Sequence, residues 1–216
     1  MHLGYRQLIE IINGGENKTV EFKREIVSPA KIAKELVAFA NTDGGYLIVG
    51  VDDDKSVYGV ASEKYEIERL NFCCEHLIDP PIVPDILITD IKRKYLAVCK
   101  IESSEHKPHF LIEDEDGNPL RQAYIRVGES SVPASKEMTR ILRLQQADTK
   151  PLTISIGENE RRIFAYLEEH NRAKINDIAS ALNFSRRRTN RMVVNLVRAK
   201  SLAIHTDASG DYYTLF

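Results

Sequence analysis

Cysteine is scarce in this 216-residue chain: Cys73, Cys74 and Cys99, with no C-x-x-C pair. An odd count that includes two adjacent cysteines argues against a disulfide framework and for a reducing compartment. Long apolar runs are missing too, so no segment approaches the length a membrane span needs. The start, "MHLGYRQLIEIINGGE", is too short and too interrupted for a secretory signal, and a cytoplasmic location is expected. No Gly-Lys pair occurs anywhere. Gly45 and Gly50 have the spacing of a P-loop, but Val51 and Asp52 follow them, which excludes that phosphate cradle. No nucleophile-elbow G-x-S-x-G is present, and no internal repeat or low-complexity segment is visible.

What is present is ordinary globular material, 43% hydrophobic and 29% charged. The net charge is −2, unevenly spread. Residues 151–216 hold 10 Lys/Arg against 7 Asp/Glu, a net of +3; residues 1–150 hold 20 against 25, a net of −5.

Hydrophobic spacing predicts an α+β fold with a mixed sheet. Leu3, Leu8, Ile9 and Ile12 recur at helical intervals, and Asn13-Gly14-Gly15 ends that helix. "TVEFKRE" alternates, with Val20 and Phe22 on one side and Glu21, Lys23 and Glu25 on the other. "SPAKIAKELVAFAN" reads as a helix capped by Ser28 with Pro29 at its first position. "GGYLIVGV" reads as a strand buried on both faces. A helix over "EKYEIERLNFCCEHLI" precedes a break at "DPPIVP". "DILITDI" and "KYLAVCKIE" form one expected hairpin; a second turns at Asp116-Gly117-Asn118. "SKEMTRILRLQQ" is expected to close a first domain over residues 1–147.

After a linker at 148–157, residues 158–216 show three helical segments and two short strands, the order of a winged helix-turn-helix. Ser185 is the expected N-cap of the third helix. On that helix Thr189, Met192, Val193, Leu196 and Val197 share one side. Arg187, Arg188, Arg191, Asn195 and Arg198 fall on the other, with Arg186 leading. An apolar back and an arginine front suit major-groove insertion, because arginine pairs with guanine edges and neutralises phosphates. The competing readings are a solvated basic face or a protein-interaction module.

Three segments in order, "GENKTVEFKRE", "LVAFANTDGGYLIVGVDDD…YGV" and "KPHF…AYIRVGESSVPAS", resemble the Alba-like DNA-binding domain shared with Schlafen proteins. The resemblance spans residues 3–146 and, with a winged helix after it, is similar to the arrangement in prokaryotic transcriptional regulators. It implies a nucleic-acid partner: duplex DNA first, structured RNA as the alternative. It also implies a divalent-metal endonuclease as the alternative function. In Schlafen nucleases three acids hold the metal; matched residue by residue they fall on Glu16, Glu21 and Asp53. Mg²⁺ or Mn²⁺ would be the ion, with Lys23 anchoring the phosphate. In the bland reading "DDDKS" is a polar turn and Glu21 pairs with Lys23 or Arg24. The family's zinc site is not matched: His106 and His109 form only an H-x-x-H, and no zinc is expected. Schlafen cores have two lobes around a cleft. This chain carries one, which implies a homodimer.

Overall fold

A computed structural model describes residues 3–115, 118–144, 152 and 154–216, and it divides into two compact units, residues 1–134 and 135–216. The expected boundary at 147 therefore moves to the junction of Ala134 and Ser135. The expected turn residues Asp116 and Gly117, and half of the expected linker (148–151 and 153), lie outside the described residues.

The first unit is built on a four-stranded mixed sheet. In chain order come helix α1 (Tyr5–Gly14), strand β1 (Val20–Lys23), helix α2 (Pro29–Asn41), strand β2 (Gly45–Val49), helix α3 (Glu63–His76), and strands β3 (Ile78–Asp79), β4 (Asp85–Ile91) and β5 (Lys94–Ile101). The sheet order is β1-β2-β5-β4; β1 and β2 run parallel, and the other two pairings are antiparallel. The β4–β5 hairpin turns on Lys92 and Arg93, both at positive φ (52° and 65°), where the strand twist demands it.

Each face of this sheet has its own core. On one, Val20, Phe22, Ile48, Leu96 and Val98 bury Leu8 and Ile12 of α1. On the other, Leu47, Val49, Ala97 and Cys99 pack with Ile32, Leu36, Phe39 and Ala40 of α2 and with Leu70, Cys73 and Cys74 of α3. Covered on both faces, β2 has Leu47, Ile48 and Val49 all at 0% exposure, which is why it reads as a continuous apolar run. Ser28 caps α2 through the backbone N–H of Lys31. The Gly44-Gly45 pair is required by space. Gly44 has φ +78°, and a Cβ on Gly45 would sit 2.5 Å from the Phe39 ring.

Strands β6 (Phe110–Glu115) and β7 (Asn118–Gln122) extend β3 into a three-stranded sheet; β8 (Tyr124–Val127) pairs with β9 (Ser130–Pro133). The β8–β9 hairpin packs on α2. Asn41, at the end of α2, pins this arrangement. Its amide donates to the carbonyls of His109 and Tyr124 at 2.9 and 3.0 Å, and its oxygen accepts from the His109 N–H at 2.8 Å.

The second unit contains helices α4 (Lys136–Leu144), α5 (Glu158–His170), α6 (Ile175–Leu182) and α7 (Arg186–Arg198), then strands β10 (Leu202–Asp207) and β11 (Gly210–Leu215) paired antiparallel. Its core gathers Ile163, Leu167, Ile178, Leu182, Val193, Leu196 and Tyr213. The backbone of Ala173, between α5 and α6, exchanges two hydrogen bonds with Tyr213 and so adds a third partner to the hairpin. Helix α4, expected to close the first domain, packs against α7 instead. Its buried residues Met138, Ile141 and Leu142 form the apolar stripe that makes this possible.

Candidate functional site

Glu21 does not lie on a solvated face. It is 7% exposed, on the α2 side of the sheet, and both its carboxylate oxygens are taken. Oε1 receives the Lys23 ammonium at 2.5 Å and Oε2 the Arg126 guanidinium at 3.0 Å. Lys23 also donates to the Phe22 carbonyl at 2.8 Å. The expected phosphate anchor is therefore engaged with the acid beside it, as the bland reading of the sequence had it.

Arg126 is the centre of this region, and its side chain is wholly buried. Nη1 donates to Glu21, to Glu35 at 2.8 Å and to Ser131 Oγ at 3.1 Å; Nη2 donates to the carbonyls of Asn17 and Glu129 at 2.8 and 2.9 Å. Its plane lies 4.9 Å from the Phe39 ring centre. Glu35, from α2, also accepts from Ser131 and faces Lys34 at 3.1 Å. One cation thus binds the first strand, the second helix and the β8–β9 hairpin together. Glu35 and Arg126 were not among the expected functional residues. The signal available was a lone glutamate within the apolar stripe of "IAKELVAFA".

Glu16 reaches into the same neighbourhood. Its Oε1 accepts from the Phe22 N–H at 2.8 Å. Burial raises its pKa, opposed by that hydrogen bond, and the charges of Glu21 and Asp53 push it further up. Asp53 is near enough to be felt but is exposed, in a turn where Asp52 accepts from the Asp53 N–H and Asp54 accepts from the Ser56 N–H. Asp52 pairs with Arg24 at 3.8 Å. Among the described residues no three His, Cys, Asp or Glu side chains lie close enough to share one ion. As arranged, the acids do not fit a metal: Glu21 would have to give up both its cations first. His109 is likewise committed, with Nδ1 2.7 Å from the Pro80 carbonyl and Nε2 2.7 Å from Ser104 Oγ.

The expected arginine face is found on α7. Ser185 Oγ caps it through the Arg188 N–H. Thr189, Val193 and Leu196 are buried as the spacing requires, and so is Val194, which the expected stripe omits. Arg187, Arg188 and Arg191 are exposed and line one cavity together with Ser185 and Arg140 of α4. Arg188 also stacks over Phe184 at 3.9 Å. Arg186 turns toward Glu137 at 4.0 Å. Asn195 and Arg198 sit further along the helix, half-buried and outside that cavity.

Two solved structures are similar to this chain. The N-terminal domain of a RecG-related protein from Nitrosomonas europaea is 26% identical, with a TM-score of 0.45, over 60% of this chain and 92% of that one. The DIP2311 protein from Corynebacterium diphtheriae is 16% identical, with a TM-score of 0.50, over 97% of this chain but only 38% of its own length, a likeness of fold alone. No helix among the described residues is long and apolar enough to cross a membrane. The sequence matches the family described as Schlafen, AlbA_2 over residues 16–135, more than half of its length, and the chain belongs to that family.

Proposed function

We propose that this protein binds nucleic acid, with duplex DNA as the favoured target, and acts as a transcriptional regulator whose C-terminal unit is a winged helix-turn-helix. The observation that carries the proposal is the exposed arginine face of α7, set on a helix whose opposite side is buried in the unit's core. Three helices followed by a hairpin, with the α5–α6 connection paired to that hairpin, support the winged-helix reading. Membership of a family resembling DNA-binding domains agrees with a nucleic-acid partner. In this reading α7 enters the major groove and the β10–β11 hairpin lies along the adjacent backbone. The first unit adds contacts and pairs two chains, matching the two-fold symmetry of most regulator sites.

The test is fluorescence anisotropy with labelled duplex DNA and labelled tRNA across a salt series. Each phosphate contact adds about 0.9 to the slope of log K against log salt on duplex DNA. Replacing Arg187, Arg188 and Arg191 together with alanine is expected to lower that slope by between about two and three. A triple variant that binds duplex DNA as tightly as the unaltered protein would overturn the proposal. Tighter binding to tRNA than to duplex would move the target to structured RNA.

A further inference from the structure

The cavity beside α7 is not made by α7 alone. Its lining is Ser185, Arg187, Arg188 and Arg191 from the start of α7, plus Arg140 from α4, and its volume is about 390 Å³. Among the described residues no carboxylate is in that lining. Among the described residues Arg140, Arg187 and Arg191 make no ion pair, while Arg188 has only the Phe184 ring beneath its guanidinium. The nearby acid of α4, Glu137, is occupied elsewhere, accepting from Asn190 Nδ2 at 3.0 Å and facing Arg186. Four like charges around one space repel each other, and among the described residues nothing in the lining offsets them. The first turn of α7, whose Arg188 N–H is capped by Ser185, also presents the positive end of the helix dipole and carries no acidic residue. A cavity of this size falls in the range that holds ligand groups, ~300–1,000 Å³, so it has room for a phosphodiester with its flanking sugars.

We propose that the α4–α7 cavity is a phosphate seat for the backbone of bound nucleic acid, and that Arg140 is a contact residue lying outside the recognition helix. This rests on the nucleic-acid reading above and deepens it. Helix α4 then belongs to the binding surface, and a binding unit that begins at the expected linker lacks one of its cations. Seating the strand here fixes how far α7 enters the groove, because phosphate contacts set register while base edges set sequence.

The experiment compares the full chain with R140A, R143A and the R187A/R188A/R191A triple variant, using labelled duplex DNA across a salt series. Arg140 and Arg143 are both exposed on α4, but only Arg140 lines the cavity, so R143A controls for general charge. R140A is expected to lower the salt slope by about 0.9 and to weaken binding at fixed salt, with R143A close to the unaltered protein. An unchanged slope in R140A, with binding lost in the triple variant, would overturn the phosphate seat and leave the proposed function standing. Equal losses in R140A and R143A would also overturn it, since only the overall field would matter. If all variants bind as the unaltered protein does, both readings fall. A further arm titrates ATP and inorganic pyrophosphate. Micromolar binding that depends on Arg140, without any effect of R140A on DNA, would overturn the assignment to a nucleic-acid backbone in favour of a small phosphorylated ligand.

Discussion

Replacing Arg126 with methionine keeps most of the side chain's bulk and removes its charge. The structure makes this a severe change. Five hydrogen bonds disappear, and the carboxylates of Glu21 and Glu35 stay behind at 7% and 5% exposure. Breaking a buried ion pair by removing one partner costs roughly 3–5 kcal/mol, because the remaining charge is uncompensated. Here Lys23 and Lys34 remain beside the two acids, and both are about a third exposed, which screens their help. The lower end, about 3 kcal/mol, is therefore expected, equivalent to a loss of about 6–12 °C in Tm for a chain of this size. Urea unfolding followed by circular dichroism gives the total, and hydrogen exchange at β1 and β8 assigns it to the first unit. A further readout separates electrostatics from packing. R126M and E35Q should couple by more than about 1 kcal/mol in a double-mutant cycle. A loss below 1 kcal/mol at neutral pH, with no coupling, would refute the view that this network holds the first unit together.

His109 gives a pH prediction. Burial lowers its pKa below the ordinary 6.5, partly opposed by its contact with the Pro80 carbonyl. The folded chain keeps the ring neutral while the unfolded chain takes a proton, so stability is fully present above about pH 6.5 and declines as the pH falls toward the folded pKa, by up to about 1.36 kcal/mol per pH unit. H109Q should flatten that decline in a Tm series from pH 8 to pH 5.5; identical slopes in both proteins would contradict it. Adding Mg²⁺ or Mn²⁺ should leave Tm unchanged, because Glu21 is held by Lys23 and Arg126. A rise matching the roughly 2.7 kcal/mol of saturation at a hundredfold over Kd would show instead that the acids rearrange around an ion. Finally, the proposed pairing through the first unit predicts a dimer in sedimentation velocity, and a monomer at high concentration, both free and DNA-bound, would remove it.

Much of this fold was legible along the chain because its signals are local. The buried strand at Gly45–Val49, the capped helix at Pro29–Asn41 and the two-sided helix at Arg186–Arg198 each carry their pattern within a dozen residues. Arg126 was not legible. In a strand whose faces alternate, an arginine next to a buried Ile125 reads as the outward residue, yet both are buried because α2 covers the hairpin. Its partners lie 105 and 91 positions away, beyond any periodicity. The placement of α4 failed for the same kind of reason. Its apolar stripe announces that it packs, but not on what. The acids show the reverse problem: residue types and spacing were matched, and of the two cations on Glu21 only Lys23, two residues along, was in view, while Arg126 was not.

The Arg126 network also sets an order on synthesis. Glu21 and Glu35 leave the ribosome early, while the cation that neutralises both comes 91 residues after Glu35. At about 5–20 residues per second that gap lasts roughly 5–18 seconds. Over this interval the nascent chain holds two acids that oppose drying of the β1–β2 pair, and of the partners they have in the finished fold only Lys23 and Lys34 are at hand. Neutralisation of Glu21 and Glu35, and docking of the β8–β9 hairpin on α2, thus wait for the segment that carries Arg126 and Ser131. A chain cut short before residue 126 keeps Glu21 and Glu35 without the cation they share in the finished core.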